Sequence, residues 1–144
     1  MRKQKGFSLI ELLIVVAIIL IIAAIAIPNL LKARVAANES AAAATVRTLG
    51  TAEVSYLTKH GNFGTLSDLK TDALIDDVIG AGSVKGGYSY KAATGGTNAQ
   101  EFTVGATPAV TDGSYRKFCA TTDGVVRVGD DGTAACATAT PLSN

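Results

Sequence analysis

The strongest pattern in the chain is a long apolar run near its start. Positions 12–27 carry no polar side chain, and Glu11 is the only charged residue between Phe7 and Leu31. As an α-helix, residues 7–31 extend roughly 37 Å at 1.5 Å per residue, and about 20 apolar residues suffice to cross a bilayer. A carboxylate in that environment costs roughly 2.5–3.5 kcal/mol on insertion scales. The pattern therefore predicts that Glu11 is a functional residue with a partner.

A second, amphipathic helical pattern follows and extends to about residue 60. Its apolar residues recur at spacings of mostly three, four and seven, and Gly50 in its interior suggests close packing against the rest of the fold. Lys59 and His60 in the last turn, followed by Gly61, are typical of a helix end. The recurring apolar residues are Leu31, Val35, Ala42, Val46, Leu49 and Tyr56.

The remainder of the chain changes from helical to alternating patterns. Residues 67–69 and 72–79 predict a short helix that packs Leu74, Ile75, Val78 and Ile79. Three or four strands follow, with alternation at Tyr88, Tyr90 and Ala92, at Phe102, Val104 and Ala106, and at Phe118 and Ala120. Asp123-Gly124 predicts a hairpin turn, and residues 125–128 are predicted to be the last strand. This pattern indicates a small antiparallel sheet laid on the second half of the long helix.

Composition limits the choice of function class. The 144 residues are enough for one small domain. Their formal net charge is +1 (13 basic against 12 acidic residues), which is no footprint for nucleic acid. The sequence holds one histidine, no phosphate-binding loop and no nucleophile motif. We therefore expect neither an enzyme nor a cofactor or metal site, and His60 is interpreted as a residue that complements the helix dipole.

Two interpretations of the first 31 residues follow from the pattern itself. A secretory signal with Ala24-Ile25-Ala26 as its cleavage site would release a soluble domain beginning at Ile27. A plain membrane anchor would keep the basic leader in the cytoplasm. Neither interpretation explains Glu11 or the Gly6-Phe7 junction.

The segment Lys5-Gly6-Phe7-Ser8-Leu9-Ile10-Glu11 resembles the processing site of type IV prepilins and pseudopilins, which carry a class III leader. Gly6, Phe7, Glu11 and Pro28 stand where the family pattern puts them, and the chain is most similar to a type IVa major pilin. The resemblance implies that a prepilin peptidase cuts after Gly6 and methylates the new amino terminus of Phe7. It also implies that Glu11 pairs with the amine of Phe7 on a neighbouring subunit during assembly.

Pro28 has two readings. Proline removes a helical hydrogen bond and clashes with the preceding turn, and the resemblance implies a kinked helix that can lose helical structure here inside a filament. Alternatively, Pro28 marks the end of the membrane span and the first turn of a second helix. Both readings are compatible with a role in assembly.

The resemblance implies an α+β fold: a long kinked N-terminal helix with a protruding hydrophobic half, packed by its C-terminal half against a small antiparallel sheet. The expected organisation is a leader at 1–6, a transmembrane and filament-core half at 7–31, an amphipathic half at 32–60, a connecting αβ-loop at 61–87 and a sheet head at 88–144. Removal of the leader takes three basic residues with it, so that 10 basic and 12 acidic side chains give a charge of −2.

Two late cysteines, Cys119 and Cys136, indicate one disulfide if the chain is exported. The alternative is two free buried thiols. Asp123, Asp130 and Asp131 with Gly132 suggest calcium, because some pseudopilins bind it near here, but their spacing does not fit an EF-hand. Turn formation by Asp-Gly is the preferred explanation.

The function expected from the resemblance is a structural subunit of a type IV pilus. Its partners would be further copies in a helical filament, the prepilin peptidase and the assembly machinery of the bacterial inner membrane, with no nucleic acid. The chain would reside in that membrane before assembly and then in an extracellular pilus, or in a periplasmic pseudopilus. The alternatives are a major pseudopilin of a type II secretion system and a membrane-tethered or secreted non-enzymatic binding domain.

Overall fold

The computed structural model describes residues 6–111, 113–129 and 134–142. The chain divides into two compact units, Met1–Ala36 and Ala37–Asn144. One long helix and a small antiparallel sheet make up most of the structure, which confirms the predicted α+β class. The kink and the protrusion of the apolar half stay predictions.

Helix α1 covers Leu9–His60, 52 residues. It ends where the sequence predicts, because Gly61 takes a φ of 79°, the left-handed conformation that commonly terminates helices. The amide of Gly61 donates to the carbonyl of Leu57 at 2.8 Å. Within the second unit, α1 buries a face of small and apolar residues, namely Ala42, Ala43, Val46, Leu49 and Ala52.

Two short helices follow α1, where the sequence predicted one. Helix α2 covers Leu66–Thr71 and α3 covers Asp77–Gly80. A single helix over residues 72–79 is wrong because Ala73 takes a φ of 55°, which interrupts it, and Asp76 begins a new helix by accepting from the amide of Ile79. Of the four residues predicted to pack, Ile79 is buried but Val78 is exposed.

Within the described residues, the sheet has five antiparallel strands in sequential order. The register places Tyr90 opposite Ala106 and Val104 opposite Ala120. The prediction that residues 125–128 form the last strand is wrong, because a two-residue strand too short to show alternation pairs with them. The strands are β1 Tyr88–Gly95, β2 Glu101–Pro108, β3 Phe118–Thr121, β4 Val126–Val128 and β5 Thr140–Pro141.

The core of the second unit lies between α1 and one face of the sheet. The predicted alternation is confirmed at seven of its eight positions, since all of them except the partly buried Ala92 are buried: Tyr88, Tyr90, Phe102, Val104, Ala106, Phe118 and Ala120. The ring of Phe63 packs edge-on against that of Phe102, with centroids 4.8 Å apart. A Cβ built on Gly50 would meet the Phe102 ring at 3.8 Å, so Gly50 faces the sheet with ordinary contact distance.

Candidate functional site

The first unit exposes an almost uninterrupted apolar surface. Large side chains are exposed at five consecutive positions, 12–16, which is more than one 3.6-residue turn. The apolar surface therefore encircles the helix. By length and composition α1 is able to cross a membrane, although secretory signals meet the same criterion. A helix that is apolar on every face requires lipid or other apolar helices around it.

Glu11 lies in the first turn of this helix and has a local partner. The amide of Ser8, the residue before the helix, donates to Oε2 of Glu11 at 3.1 Å. This is one half of a capping box, in which an acid at the third helical position accepts from the amide before the helix. The negative charge also lies at the positive end of the helix dipole. The sequence spacing Ser8-x-x-Glu11 carries this signal, which the analysis of hydropathy did not include.

The Gly6-Phe7 junction lies outside the helix. Gly6, Phe7 and Ser8 have no regular secondary structure, the side chain of Phe7 is 86% exposed, and nothing lies within 4 Å of a Cβ built on Gly6. A peptide bond in such a position is open to an enzyme. Residues 1–5, most of the predicted leader, lie outside the described residues.

Pro28 lies inside α1, and the helix continues on both sides of it. Because proline has no amide hydrogen, it cannot make the helical hydrogen bond to the carbonyl of Ala24. One residue later, the side-chain amide of Asn29 donates to the carbonyl of Ile25 at 3.1 Å. This bond adds to the helical hydrogen bonds next to the one that Pro28 cannot make. Because α1 is continuous through Pro28, the interpretation in which a separate second helix begins at this residue is wrong.

Comparisons with known proteins find an N-terminal methylation motif and similarity to type IV pilus proteins. Residues 1–27 match the family described as "Prokaryotic N-terminal methylation motif". A type IV wide pilus major component of Thermus thermophilus is 68% identical over 40 residues, 28% of this chain and 30% of the relative. A type IV major pilin protein of Myxococcus xanthus is 36% identical over 122 residues, 79% of this chain and 51% of the relative.

The chain carries the N-terminal methylation motif and is similar to type IV major pilins. It spans between about a third and a half of the length of these two curated relatives. No solved structure matches the chain significantly.

The second unit contains the expected disulfide. Cys119 on β3 is bonded to Cys136, 17 positions later, in a 3₁₀ helix that covers Ala134–Thr138. Both cysteines are buried, and the prediction of one disulfide is confirmed. The bond ties the C-terminal segment to the middle of the sheet.

A second acid of α1 makes a contact that the sequence analysis missed. Glu39 is 7% exposed, and its Oε1 accepts from the backbone amide of Arg116 at 2.8 Å. Its Oε2 accepts from Nε and Nη2 of the same arginine at 2.8 and 2.7 Å. Burial raises the pKa of Glu39, but the bonds to Arg116 outweigh this effect and leave its pKa below the ordinary value. The contact fastens α1 to the segment before β3.

The calcium candidates divide into two groups. Asp123 is engaged within its turn, where it accepts from the hydroxyl of Thr121 and the amide of Val125 and forms an ion pair with Arg127. Asp130, Asp131 and Gly132 lie outside the described residues. Within the part of the chain that the structure describes, no group of three or more potential ligands is suited to a metal ion.

His60 is part of a polar cluster at the end of α1. Its ring stacks on Tyr56 with centroids 4.2 Å apart, and its Nε2 lies 2.7 Å from Oδ2 of Asp72. The Nζ of Lys59 lies 3.0 Å from the same oxygen. The acid of this cluster comes from the segment after α2, so the cluster joins the αβ-loop to the helix, a role beyond the predicted complement to the dipole.

Proposed function

We propose that this chain is a structural subunit of a type IV pilus, assembled by packing of the apolar helices of residues 7–31. The observation that carries the proposal is the encircling apolar surface, which ends in a single acid at Glu11. Burial of a large apolar side chain is worth about 1.5–3 kcal/mol relative to water. Lipid already shelters these side chains before assembly, so the gain in the filament comes from helix packing and from the Glu11 contact.

Maturation precedes assembly in this proposal. The chain is exported as a precursor into the bacterial inner membrane, and a prepilin peptidase cuts between Gly6 and Phe7 and methylates Phe7. Exposure of this junction outside the helix supports the assignment. Cleavage before the apolar run leaves that run on the mature chain, where it can form the core of a filament.

Glu11 then acts in alignment. A carboxylate has two oxygens and about four acceptor sites, so Glu11 can keep the bond from Ser8 and also accept from the Phe7 amine of a neighbouring subunit. A buried ion pair adds little net stability over apolar packing, but a pair broken by misalignment costs about 3–5 kcal/mol. The pair therefore selects the correct register of an incoming subunit.

The relatives favour a pilus over a pseudopilus, because both are named as pilus components or pilins. The disulfide is consistent with exposure to an oxidising exterior. The alternatives are a major pseudopilin of a type II secretion system and a tethered or secreted binding domain. All three are non-enzymatic roles.

The test combines mass spectrometry with one substitution. A mature chain that begins at methylated Phe7 supports assembly, whereas a chain that begins at Ile27 indicates an ordinary secreted domain. Electron microscopy of sheared surface material then distinguishes long pili from a periplasmic pseudopilus.

Glu11→Gln tests the role of the acid. Glutamine also serves at the third helical position of a capping box, so this variant keeps the local bond to Ser8 while it removes the charge. We expect normal export and cleavage with greatly reduced filament yield. The control Glu101→Gln neutralises an exposed acid on β2 and should assemble normally. Normal assembly of Glu11→Gln would refute the ion-pair role.

A further inference from the structure

A third acid of α1, Glu53, is completely enclosed. Its relative exposure is 0%. Its Oε2 accepts from the backbone amide of Gly64 at 2.9 Å, while its Oε1 is buried with no hydrogen-bond partner among the described residues. A buried oxygen without a partner is costly, and it is rare enough in proteins to require an explanation.

The αβ-loop closes tightly over this carboxyl group. A Cβ on Gly64 would come within 3.1 Å of both the Tyr56 ring and the Cβ of Asp68, so the loop backbone lies tightly against α1 at this point. On one side Phe63 packs on Phe102, and on the other α2 begins with a capping box between Thr65 and Asp68. Residues 61–71 therefore form a segment that must move for solvent to reach Glu53.

The charged groups around Glu53 do not neutralise it. On α1 the phenol of Tyr56 interacts with Glu53, while Lys59 and His60 near the end of the helix both contact Asp72. On α2 the nearest charge is Asp68, a second acid. Burial raises the pKa of Glu53 to about 7; the Gly64 amide opposes this effect, and the charge of Asp68 adds to it.

We propose that protonation of Glu53 controls whether residues 61–71 stay closed against α1. The neutral carboxyl group tolerates the enclosed site, whereas the carboxylate requires water at Oε1 and obtains it only when the segment opens. On opening, the proton is released to solvent. The contact is therefore strongest in mild acid and weakens as pH rises, and no metal or second molecule is needed.

The direction of the pH dependence follows from the thermodynamic linkage between protonation of Glu53 and opening of residues 61–71. An open segment returns Glu53 to its ordinary pKa of 4.5, while the closed segment keeps it at about 7. Between these values only the closed form binds the proton, so the open fraction increases about tenfold per pH unit. Above the pKa of the closed form the dependence levels off.

Hydrogen exchange of the full chain in detergent micelles tests this, with peptides covering residues 61–71 followed by mass spectrometry from pH 5 to pH 8. After correction for the chemical exchange rate, we expect opening of the wild-type segment to rise by about two orders of magnitude and to level off above pH 7, because one proton is linked. Glu53→Gln is neutral at every pH and should exchange slowly and without pH dependence. The control Glu101→Gln should behave as the wild type does.

Two results would overturn the proposal. The first is a wild-type segment whose corrected exchange is independent of pH, a result that requires no variant and therefore stands even if Glu53→Gln does not fold. The second is a folded Glu53→Gln protein that keeps the wild-type slope, which would show that a group other than Glu53 titrates.

Discussion

Glu39→Ala should destabilise the second unit strongly. The substitution removes both oxygens that accept from Arg116, three hydrogen bonds of 2.7–2.8 Å. These bonds join residues 77 positions apart. They connect α1 to the segment before β3, and within the described residues this segment is not part of a helix or strand. The effect on unfolding is therefore not shared with a neighbouring backbone ladder.

The expected loss of stability depends on how the guanidinium and the backbone amide of Arg116 are solvated once the Glu39 carboxylate is removed. The Arg116 side chain is 57% exposed, so its guanidinium returns to water at little cost. Its backbone amide loses a charged acceptor, and hydrogen bonds to charged groups contribute about 1.5–3 kcal/mol each. With the guanidinium bonds discounted for their exposure, the total is about 2–4 kcal/mol. At about 4 °C per kcal/mol for a domain of this size, the melting temperature should fall by roughly 8–16 °C.

The same contact has a defined pH dependence. The pKa of Glu39 is below its ordinary value of 4.5 in the folded chain, so the unfolded chain binds the proton first as pH falls. The stabilisation is fully present above pH 4.5 and is lost as pH falls through the folded pKa. The difference between wild type and Glu39→Ala should therefore be constant near neutral pH and shrink in strong acid.

Thermal unfolding of the full chain in micelles, followed by circular dichroism, measures these effects. Glu101→Ala, a change at an exposed acid of β2, serves as the control and should change stability by no more than about 0.5 kcal/mol. If Glu39→Ala melts within about 2 °C of the control, which corresponds to that same 0.5 kcal/mol, the contact with Arg116 contributes little and the reasoning is wrong.

Three further changes are testable by the same unfolding measurement. Gly50→Ala should stabilise by up to about 1 kcal/mol, because its Cβ would meet the Phe102 ring at an ordinary 3.8 Å; a loss of stability would show that the contact is tighter than this distance implies. Gly124→Ala should instead destabilise by about 1–2 kcal/mol, since Gly124 has a φ of 73° in the β3–β4 turn, and an unchanged melting point would contradict this. Replacing Cys119 and Cys136 together by alanine should cost about 3 kcal/mol for a ring of this length, and a neutral result would mean that the ring is already ordered without the bond.

Much of the fold was predictable because its signals are local and periodic. The end of α1 at Gly61, the buried alternation through Phe102 and Val104, and the Asp123-Gly124 turn each depend on residues within one or two turns of chain. The short elements were not predictable in the same way. Two short helices replaced one because Ala73 adopts a positive φ, and β5 is two residues long, below the length at which alternation is visible.

The candidate site shows the same division. Hydropathy singled out Glu11 as the one charge in the apolar run, and the pattern around Gly6 predicts a cleavage junction that stays a prediction. The contacts of Glu39 and Glu53 were missed because each depends on a partner brought close by the fold, 77 and 11 positions away. In the sequence alone, both acids resemble ordinary polar residues on the solvent face of an amphipathic helix.

The three acids of α1 show why the cation for Glu11 is assigned to a second subunit. Glu39 is buried as an anion because the guanidinium of Arg116 lies within 2.8 Å. Glu53 is buried beside another acid, and its pKa rises until the neutral form is accessible. Glu11 has one amide donor, from Ser8, and no ion pair within the described residues, and it directly precedes the apolar run of residues 12–27. An amide donor orients a carboxylate but leaves its charge in place. Once apolar helices replace solvent around residues 7–31, that charge requires a cation. In the proposed assembly, cleavage after Gly6 would create a new amine at Phe7, four positions before Glu11, and each added subunit would bring this cation with it.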